Sequence, residues 1–137
     1  MPEPDTAESI PIDDADGKAV AVAAARAASA LKATDVVVLD VGDALSIAGY
    51  FVVASASNPR QVRAVADDVE IQVRAEFGRS PVRVEGLREQ QWTLIDYGDV
   101  VVHVFLESVR EFYEIERLYM ESPTIDWAPP TTPSPNA

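Results

Sequence analysis

Hydrophobic and polar positions follow a helical period in three parts of the chain, and two of these parts come early. An alanine-dense run without interior glycine or proline predicts a helix over Lys18–Lys32, with Asp16 as a possible N-cap. A second helix follows Asn58 and Pro59, which are suited to the N-cap and to the first helical position. Its apolar residues recur at spacings of three and four until Gly78 ends it.

Runs of β-branched and aromatic residues predict five strands. The first two, Asp35–Val41 and Tyr50–Ala56, precede the second helix. The other three follow it at Val82–Glu85, Gln91–Asp96 and Val100–Leu106.

The third helical pattern comes after the last strand. Ser108 and Glu111 have the spacing of a capping box, which predicts that the helix begins there. Phe112, Ile115 and Tyr119 would form its apolar stripe. The resulting order, α-β-β-α-β-β-β-α, predicts an α/β fold in which a mixed sheet of about five strands has flanking helices.

Composition divides the chain into three parts. Residues 1–17 hold six acidic residues and no base, which predicts an acidic flexible tail. Residues 18–121 form the predicted domain, and residues 122–137 are a Pro-rich flexible tail. Over the whole chain, 11 Lys and Arg oppose 23 Asp and Glu, giving a net charge of −12.

This charge limits the partners that the protein can bind. An acidic surface repels phosphate backbones, so direct nucleic-acid binding is disfavoured, and a basic protein partner or simple solubility accounts for the charge. The chain has no cysteine, so disulfides and thiolate metal sites are excluded. We expect no membrane segment, since no 18 consecutive residues are apolar, and no secretion signal, since the first residues lack a basic start. A cytoplasmic location is therefore expected.

A tight hairpin is predicted by residues 92–105, W-T-L-I-D-Y-G-D-V-V-V-H-V-F. With Tyr97-Gly98 as its two-residue turn, Trp92 would face His103 and Leu94 would face Val101. Because side chains alternate across a sheet, one side of the hairpin is aliphatic and the other is not. We call this second side the mixed face; it comprises Trp92, Leu94, Asp96, Val101, His103 and Phe105.

His103 is the only histidine, and three interpretations of it remain open: a packed structural residue, a partner contact or a catalytic base. No G-x-S-x-G elbow accompanies it, and a zinc site would need more His or Cys ligands. Phosphate-binding and dinucleotide-binding glycine motifs are also absent. D-Y-G-D holds its carboxylates across a turn and is a poor pair for a divalent metal. No cofactor or metal is expected.

Several motifs together resemble the ribosomal silencing factor (Iojap-related) family, in a bacterial, actinobacterial-like form. They are D-V-V-V-L-D-V from Asp35, Y-F-V-V-A-S-A-S-N-P-R-Q-V from Tyr50, V-E-G from Val84, the hairpin sequence above, and R-E-F-Y-E-I-E-R-L-Y from Arg110. The resemblance covers about Lys18 to Glu121. Two positions depart from the family pattern: Gly49, where an acid is usual, and Tyr119, where Trp is frequent.

The resemblance implies a function. Such proteins bind the large ribosomal subunit through its protein number fourteen, sterically block association with the small subunit and repress translation under nutrient limitation. It also implies a nucleotidyltransferase-like scaffold, but the signature of active members is missing, so we expect no enzymatic activity. Two alternatives remain: a nucleotidyltransferase-like enzyme acting on a nucleotide or tRNA, and a homodimer that stores the free protein.

The partner-binding residues implied by the resemblance lie on and beside the mixed face. Trp92 would be the aromatic anchor, with Leu94 and Phe105 adding apolar contact. Asp96 would accept hydrogen bonds from a partner Lys or Arg, and His103 would hydrogen-bond beside the tryptophan. Tyr97 and Glu107 would flank this set. Arg110 and Tyr113 also match the family, and they either contact the partner or anchor the last helix.

Overall fold

The computed structural model of the chain describes residues 14–42, 49–115, 117 and 120–128, with side chains from Asp16 onward. These ranges hold three α-helices and six strands in the predicted order, with one short strand added at the end. Their bounds are α1 Asp14–Ala30, β1 Thr34–Asp40, β2 Tyr50–Ala56, α2 Pro59–Phe77, β3 Arg83–Glu85, β4 Trp92–Asp96, β5 Val100–Leu106, α3 Glu107–Tyr113 and β6 Thr124–Ile125.

The strands form one mixed sheet in the order β3-β4-β5-β2-β1-β6. β2 and β5 pair in parallel along their whole length, from Tyr50 opposite Val100 to Ala56 opposite Leu106. The remaining neighbours are antiparallel. The prediction of a mixed α/β sheet with flanking helices is therefore confirmed.

Both long helices lie on one face of this sheet and bury its aliphatic side chains. α2 contributes a stripe at helical spacing, Val62, Val65, Ala66, Val69 and Val73, and every member is fully buried. α1 contributes mostly alanines, whose small side chains let the helix lie close to the sheet and to α2. Each fully buried valine contributes about 2 kcal/mol of hydrophobic stabilisation. None of the helices in the described ranges is long and apolar enough to cross a membrane.

The ends of α2 follow from local chemistry. The Asn58 side chain accepts a hydrogen bond from the Gln61 amide at 2.8 Å, and Pro59 takes the first helical position. At the other end the Gly78 amide donates to the Arg74 carbonyl at 2.9 Å. Both predicted boundaries are confirmed.

The first helix begins earlier than predicted. Asp14–Gly17 form its first turn, so the acidic segment 1–17 is not a tail throughout, while residues 1–13 lie outside the described part of the chain. Asp16 is therefore inside the helix rather than at its N-cap, and its carboxylate lies 3.3 Å from the Arg79 guanidinium.

Part of the predicted Pro-rich tail is packed against the sheet. Thr124 and Ile125 form β6, which pairs with Leu39 and Val38 of β1. Beyond it, the Trp127 indole donates to the Val36 carbonyl at 3.0 Å, and the Arg26 guanidinium donates to the Trp127 carbonyl at 2.7 Å. The prediction of a flexible tail is wrong for these residues because β1 offers them a free edge. Residues 129–137 lie outside the described ranges.

The hairpin register differs from the predicted one. Trp92 lies opposite Phe105, Leu94 opposite His103 and Asp96 opposite Val101. The turn consists of Gly98 and Asp99, because the Asp96 side chain accepts from the Gly98 amide at 2.8 Å and Gly98 takes a φ of +94° that other residues rarely adopt. Each residue of β4 lies opposite a residue of β5 that is two positions later than the predicted one. Because two residues are one full strand period, every side chain keeps its predicted face.

The third helix also differs from its prediction. It begins at Glu107 after Leu106, without a side-chain cap, so Ser108 and Glu111 form no capping box. Glu107 is favourable in the first turn because its negative charge offsets the helix dipole. The α-helix ends at Tyr113, and Phe112, expected in the apolar stripe, is 79% exposed. Tyr119 lies outside the described residues.

The hairpin turn is tied to both long helices by one guanidinium. Arg79, which follows α2, donates to the Asp99 carboxylate at 2.6 Å and to the Tyr97 carbonyl at 2.9 Å. The same guanidinium reaches Asp16 in α1. The Arg79 and Asp99 side chains are only 22% and 15% exposed, so water screens this pair less than a surface pair.

We expect Asp99→Ala to lower the free energy of unfolding by about 1–2 kcal/mol, because it removes the shorter of the two carboxylate contacts of a half-buried guanidinium. Chemical denaturation measures this loss. Asp67→Ala is the matched control, since the Arg63–Asp67 pair is about half exposed and should contribute less than about 0.5 kcal/mol. Equal losses in the two variants would mean that Arg79 does not tie the turn to the helices.

A second prediction concerns Gly86, which connects β3 to the loop before β4. Its φ is +83°, and an added Cβ would lie 2.0 Å from the Trp92 carbonyl oxygen. Gly86→Ala should therefore cost about 3 kcal/mol or more, by strain and overpacking together. In Gly78→Ala, where φ is +66° and nothing lies within 4 Å, only the backbone strain of about 1 kcal/mol is expected. Similar melting temperatures for the two variants would contradict the close approach.

Candidate functional site

The mixed face lies on the side of the sheet opposite to α1 and α2. Thr93, Ile95, Val102 and Val104 point toward the helices and are fully buried. The alternate side chains, from Trp92 to Phe105, point the other way, as the sequence predicts. Leu39 of β1, Val41 just after β1 and Phe51 of β2 extend the mixed face as a small apolar cluster, against which Val101 packs.

The indole of Trp92 is held in place by three neighbouring rings. It stacks on Phe105 with a centroid distance of 4.8 Å and an interplanar angle of 29°. Its Nε1–H donates to Nδ1 of His103 at 3.1 Å, and the Tyr113 ring lies against it at 5.2 Å. The side chain is nevertheless only half-buried, so one part of a fixed aromatic group faces outward.

His103 is a buried, neutral histidine. Since Nδ1 accepts from Trp92, the proton resides on Nε2, and Nε2 has no hydrogen-bond partner among the described residues. The edge of the ring lies against Phe51, with centroids 4.8 Å apart. The residue is 3% exposed, and this burial lowers the pKa of His103 to about 4. At neutral pH its imidazole therefore orients Trp92 and carries no charge.

Two of the predicted contact residues thus lie beneath the surface. Phe105 is fully buried and His103 nearly so, and both support the indole of Trp92 from the sheet side. The sequence assigns them the correct face but does not indicate their depth. A protein partner would meet Trp92 first.

Leu94 and Asp96 remain partly accessible. Leu94 is half-buried opposite His103. The Asp96 carboxylate is occupied locally, since it accepts from the Gly98 amide at 2.8 Å and from the Arg83 guanidinium at 3.2 Å. An incoming cation would therefore compete with Arg83 for this carboxylate.

Tyr97 does not join the mixed face. It is 3% exposed and belongs to the core on the helix side, near Arg79 and Glu70. Burial raises the pKa of Tyr97 to about 12, the negative charge of Glu70 adds to the shift, and Arg79 opposes it. Its expected place beside the contact surface is wrong, because the turn starts one residue later than the sequence predicts.

Glu107 and Arg110 attach α3 to the end of the sheet. The Glu107 carboxylate accepts from the Thr34 hydroxyl at 3.2 Å and is otherwise exposed. Arg110 is 8% exposed and donates to the Asp35 carbonyl and, at 2.8 Å, to the Ser55 hydroxyl. Of the two roles that the sequence allows for Arg110, the contacts support the helix anchor.

The position of Tyr113 is compatible with both roles that the sequence left open. One face of its ring packs on Trp92, and the residue is still 54% exposed. The sequence does not predict Phe112 at the surface, yet its ring lies against Tyr113 at 4.9 Å and 89° and is mostly exposed. No sequence signal identifies this exposure, because the spacing of Phe112 fits an apolar helix stripe.

The buried imidazole makes stability depend on pH. Unfolded histidine has a pKa near 6.5. Because the pKa of His103 in the folded chain is about 4, the unfolded chain binds more protons than the folded chain between these two pH values. Stability should therefore be fully present above about pH 6.5 and fall by up to about 3 kcal/mol as the pH drops to 4. In His103→Asn, which keeps an acceptor for Trp92 but does not titrate, the decline should be smaller by that amount. Denaturation series across this range measure both chains, and identical slopes would contradict a neutral buried histidine.

Comparisons with known proteins agree on one family. A sequence model of the family described as "Ribosomal silencing factor during starvation" matches residues 14–137. The chain is 35% identical over 109 residues to the ribosomal silencing factor RsfS of Bacillus subtilis, covering 80% of this chain and 92% of that protein. It is 39% identical over 89 residues to the protein of the same name from Chromobacterium violaceum, covering 65% and 72%. It is also 36% identical over 114 residues to the chloroplastic protein Iojap of Zea mays, covering 83% and 49%.

Solved structures share the fold. A crystal structure of a Chromobacterium violaceum protein superposes with a TM-score of 0.71 at 36% identity, covering 75% of this chain and 85% of that one. A second, from Bacillus halodurans, gives a TM-score of 0.65 at 34% identity, covering 80% and 95%. Sequence and fold comparisons agree, and on this basis the chain belongs to the ribosomal silencing factor family.

Proposed function

We propose that this protein binds the large ribosomal subunit through ribosomal protein number fourteen and blocks association with the small subunit. The mechanism is steric occlusion, which needs no chemical step. A protein interface of ordinary size covers about 800 Å² on each partner. An interface of this size that overlaps one contact between the subunits is sufficient to keep them apart. The protein would act in the cytoplasm and repress translation when nutrients are limiting.

The observation that carries the proposal is the fixed, half-exposed indole of Trp92. Rigid aromatic side chains are frequent binding anchors because they offer a large contact area and lose little conformational entropy on binding. Here His103 and Phe105 fix the ring from below and Tyr113 fixes it from the side. The preorganised tryptophan thus fits a protein contact better than a role in the core.

Charge supports a basic partner. The chain carries a net charge of −12. Around the mixed face, Glu107 is exposed, and Glu85 and Asp96 are accessible beside one base, Arg83, which pairs with both. Such a surface attracts a basic ribosomal protein and is repelled by RNA phosphates nearby, which favours one orientation of approach.

The geometry gives little support to the enzyme alternative. Nδ1 of His103 is occupied by Trp92, and its depressed pKa makes it a weak base. A cavity of about 360 Å³ lies beside α3, but its serine, Ser55, is hydrogen-bonded to Arg110 and not to a base. His103 does not line this cavity, so these groups do not form a nucleophile–base pair.

Trp92→Ala should reduce affinity for purified large subunits about thirtyfold or more, because it removes the anchor. Co-sedimentation measures the affinity, and a joining assay with small subunits measures occlusion. The variant should also lose about 2–3 kcal/mol of folding stability, since the ring packs on Phe105 and Tyr113.

Trp127→Ala is the matched control. Trp127 is also half-buried and also donates one indole hydrogen bond, to Val36, but it packs on the helix side of the sheet. A comparable loss of stability with unchanged affinity is expected. Equal loss of binding in both variants would attribute the effect to general destabilisation, and full binding by folded Trp92→Ala would place the contact surface elsewhere.

A further inference from the structure

The short helix α3 reverses the usual distribution of side chains. It buries a charged residue, Arg110, which is 8% exposed, and it exposes an aromatic one, Phe112, which is 79% exposed. Exposed phenylalanine and buried arginine both cost free energy unless a partner or a hydrogen bond compensates. Arg110 is compensated by Asp35 and Ser55 within the chain. The exposed ring of Phe112 has no comparable compensation among the described residues.

Phe112 is the outer end of a row of three aromatic rings. It meets Tyr113 edge to face at 4.9 Å, and Tyr113 in turn lies on Trp92 at 5.2 Å. The row is continuous with the supported indole of the mixed face. Other exposed apolar residues, such as Ile71 at 60% and Val82 at 74%, lie on α2 and next to β3, away from this row.

Carboxylates flank the two outer rings of the aromatic row in the sequence. Glu111 precedes Phe112, Glu114 follows Tyr113 directly after the end of α3, and both are exposed. Glu107 lies one turn before Glu111, where it contacts Thr34. Arg117 pairs with Glu114 at 2.7 Å on a well-exposed surface, where the bond is weak. An apolar projection with an acidic border is complementary to an apolar recess with a basic border.

We propose that Phe112 and Tyr113 insert into an apolar recess, bordered by Lys and Arg side chains, on the protein that this chain binds. The inference rests on the proposed function and identifies α3, together with Trp92, as the element that recognises the partner. Phe112 supplies the inserted apolar group, and Glu111 meets the basic border. Tyr113 is both a contact and the link that transmits the position of Trp92 to Phe112.

Phe112→Ala tests the proposal with purified bacterial large subunits and with isolated ribosomal protein number fourteen. The melting temperature should stay within a few degrees of the parent chain because the ring is mostly exposed, while affinity should fall at least tenfold. Ile71→Ala is the matched control, an exposed apolar residue on α2 that should bind like the parent chain.

A charge reversal tests the border. Glu111→Lys should weaken binding at low salt and make the affinity less dependent on salt, because it removes an attraction that salt screens. Glu76→Lys, at an exposed position on α2, has the same change in net charge and should have a smaller effect.

The outcomes separate this inference from the proposed function. If Phe112→Ala binds like the parent chain while Trp92→Ala does not, the proposed function stands and the role of Phe112 is wrong. If the parent chain does not sediment with large subunits, both are wrong. If Phe112→Ala changes only self-association in analytical ultracentrifugation and not subunit binding, the row contacts a second copy of this chain and the inference is overturned.

Discussion

The parallel pairing of β2 with β5 is the constraint on which the rest of the structure depends. Parallel neighbours need a crossover, and here the chain between them contains α2 and the β3–β4 pair. α2 returns on the side of the sheet already covered by α1, so both long helices bury the same face. Among the described residues, only the short helix α3 lies on the opposite face, which must bury its apolar residues by other means.

Aromatic side chains cover that second face of the sheet. Phe51, His103 and Phe105 form a buried layer, and Trp92 and Tyr113 lie over it. The hydrogen bond between Trp92 and His103 requires a neutral imidazole, and burial keeps it neutral at ordinary pH. The layer therefore has one defined arrangement, which fixes the outward direction of the indole.

A fixed aromatic surface with an acidic border suits recognition better than catalysis. The groups that a catalytic site would need are here hydrogen-bonded to structural partners: His103 to Trp92, Ser55 to Arg110 and Asp99 to Arg79. These contacts build a rigid surface and leave no base beside a nucleophile among these groups. Such a surface fits the steric role proposed above.

The sequence by itself determines the features that depend on neighbouring residues. Asn58, Pro59 and Gly78 set the ends of α2 through local hydrogen bonds and dihedral preferences. The β-branched runs define β1, β2 and β5, and the strand period assigns each side chain of the hairpin to its face. That assignment survives the error in register because the shift is two residues, one full period.

Only the tertiary structure decides how deeply each of these side chains lies. Arg110 is buried because it donates hydrogen bonds to Asp35 and Ser55, which are 75 and 55 residues away in the sequence. With Arg110 turned inward, Phe112 lies on the outer side of α3. β6 forms because β1 presents a free edge, although Thr124 and Ile125 have no strand pattern of their own. A local sequence pattern determines which face of a strand or helix each side chain lies on. Burial depends on which distant segments pack against that face, and only the folded chain brings those segments together.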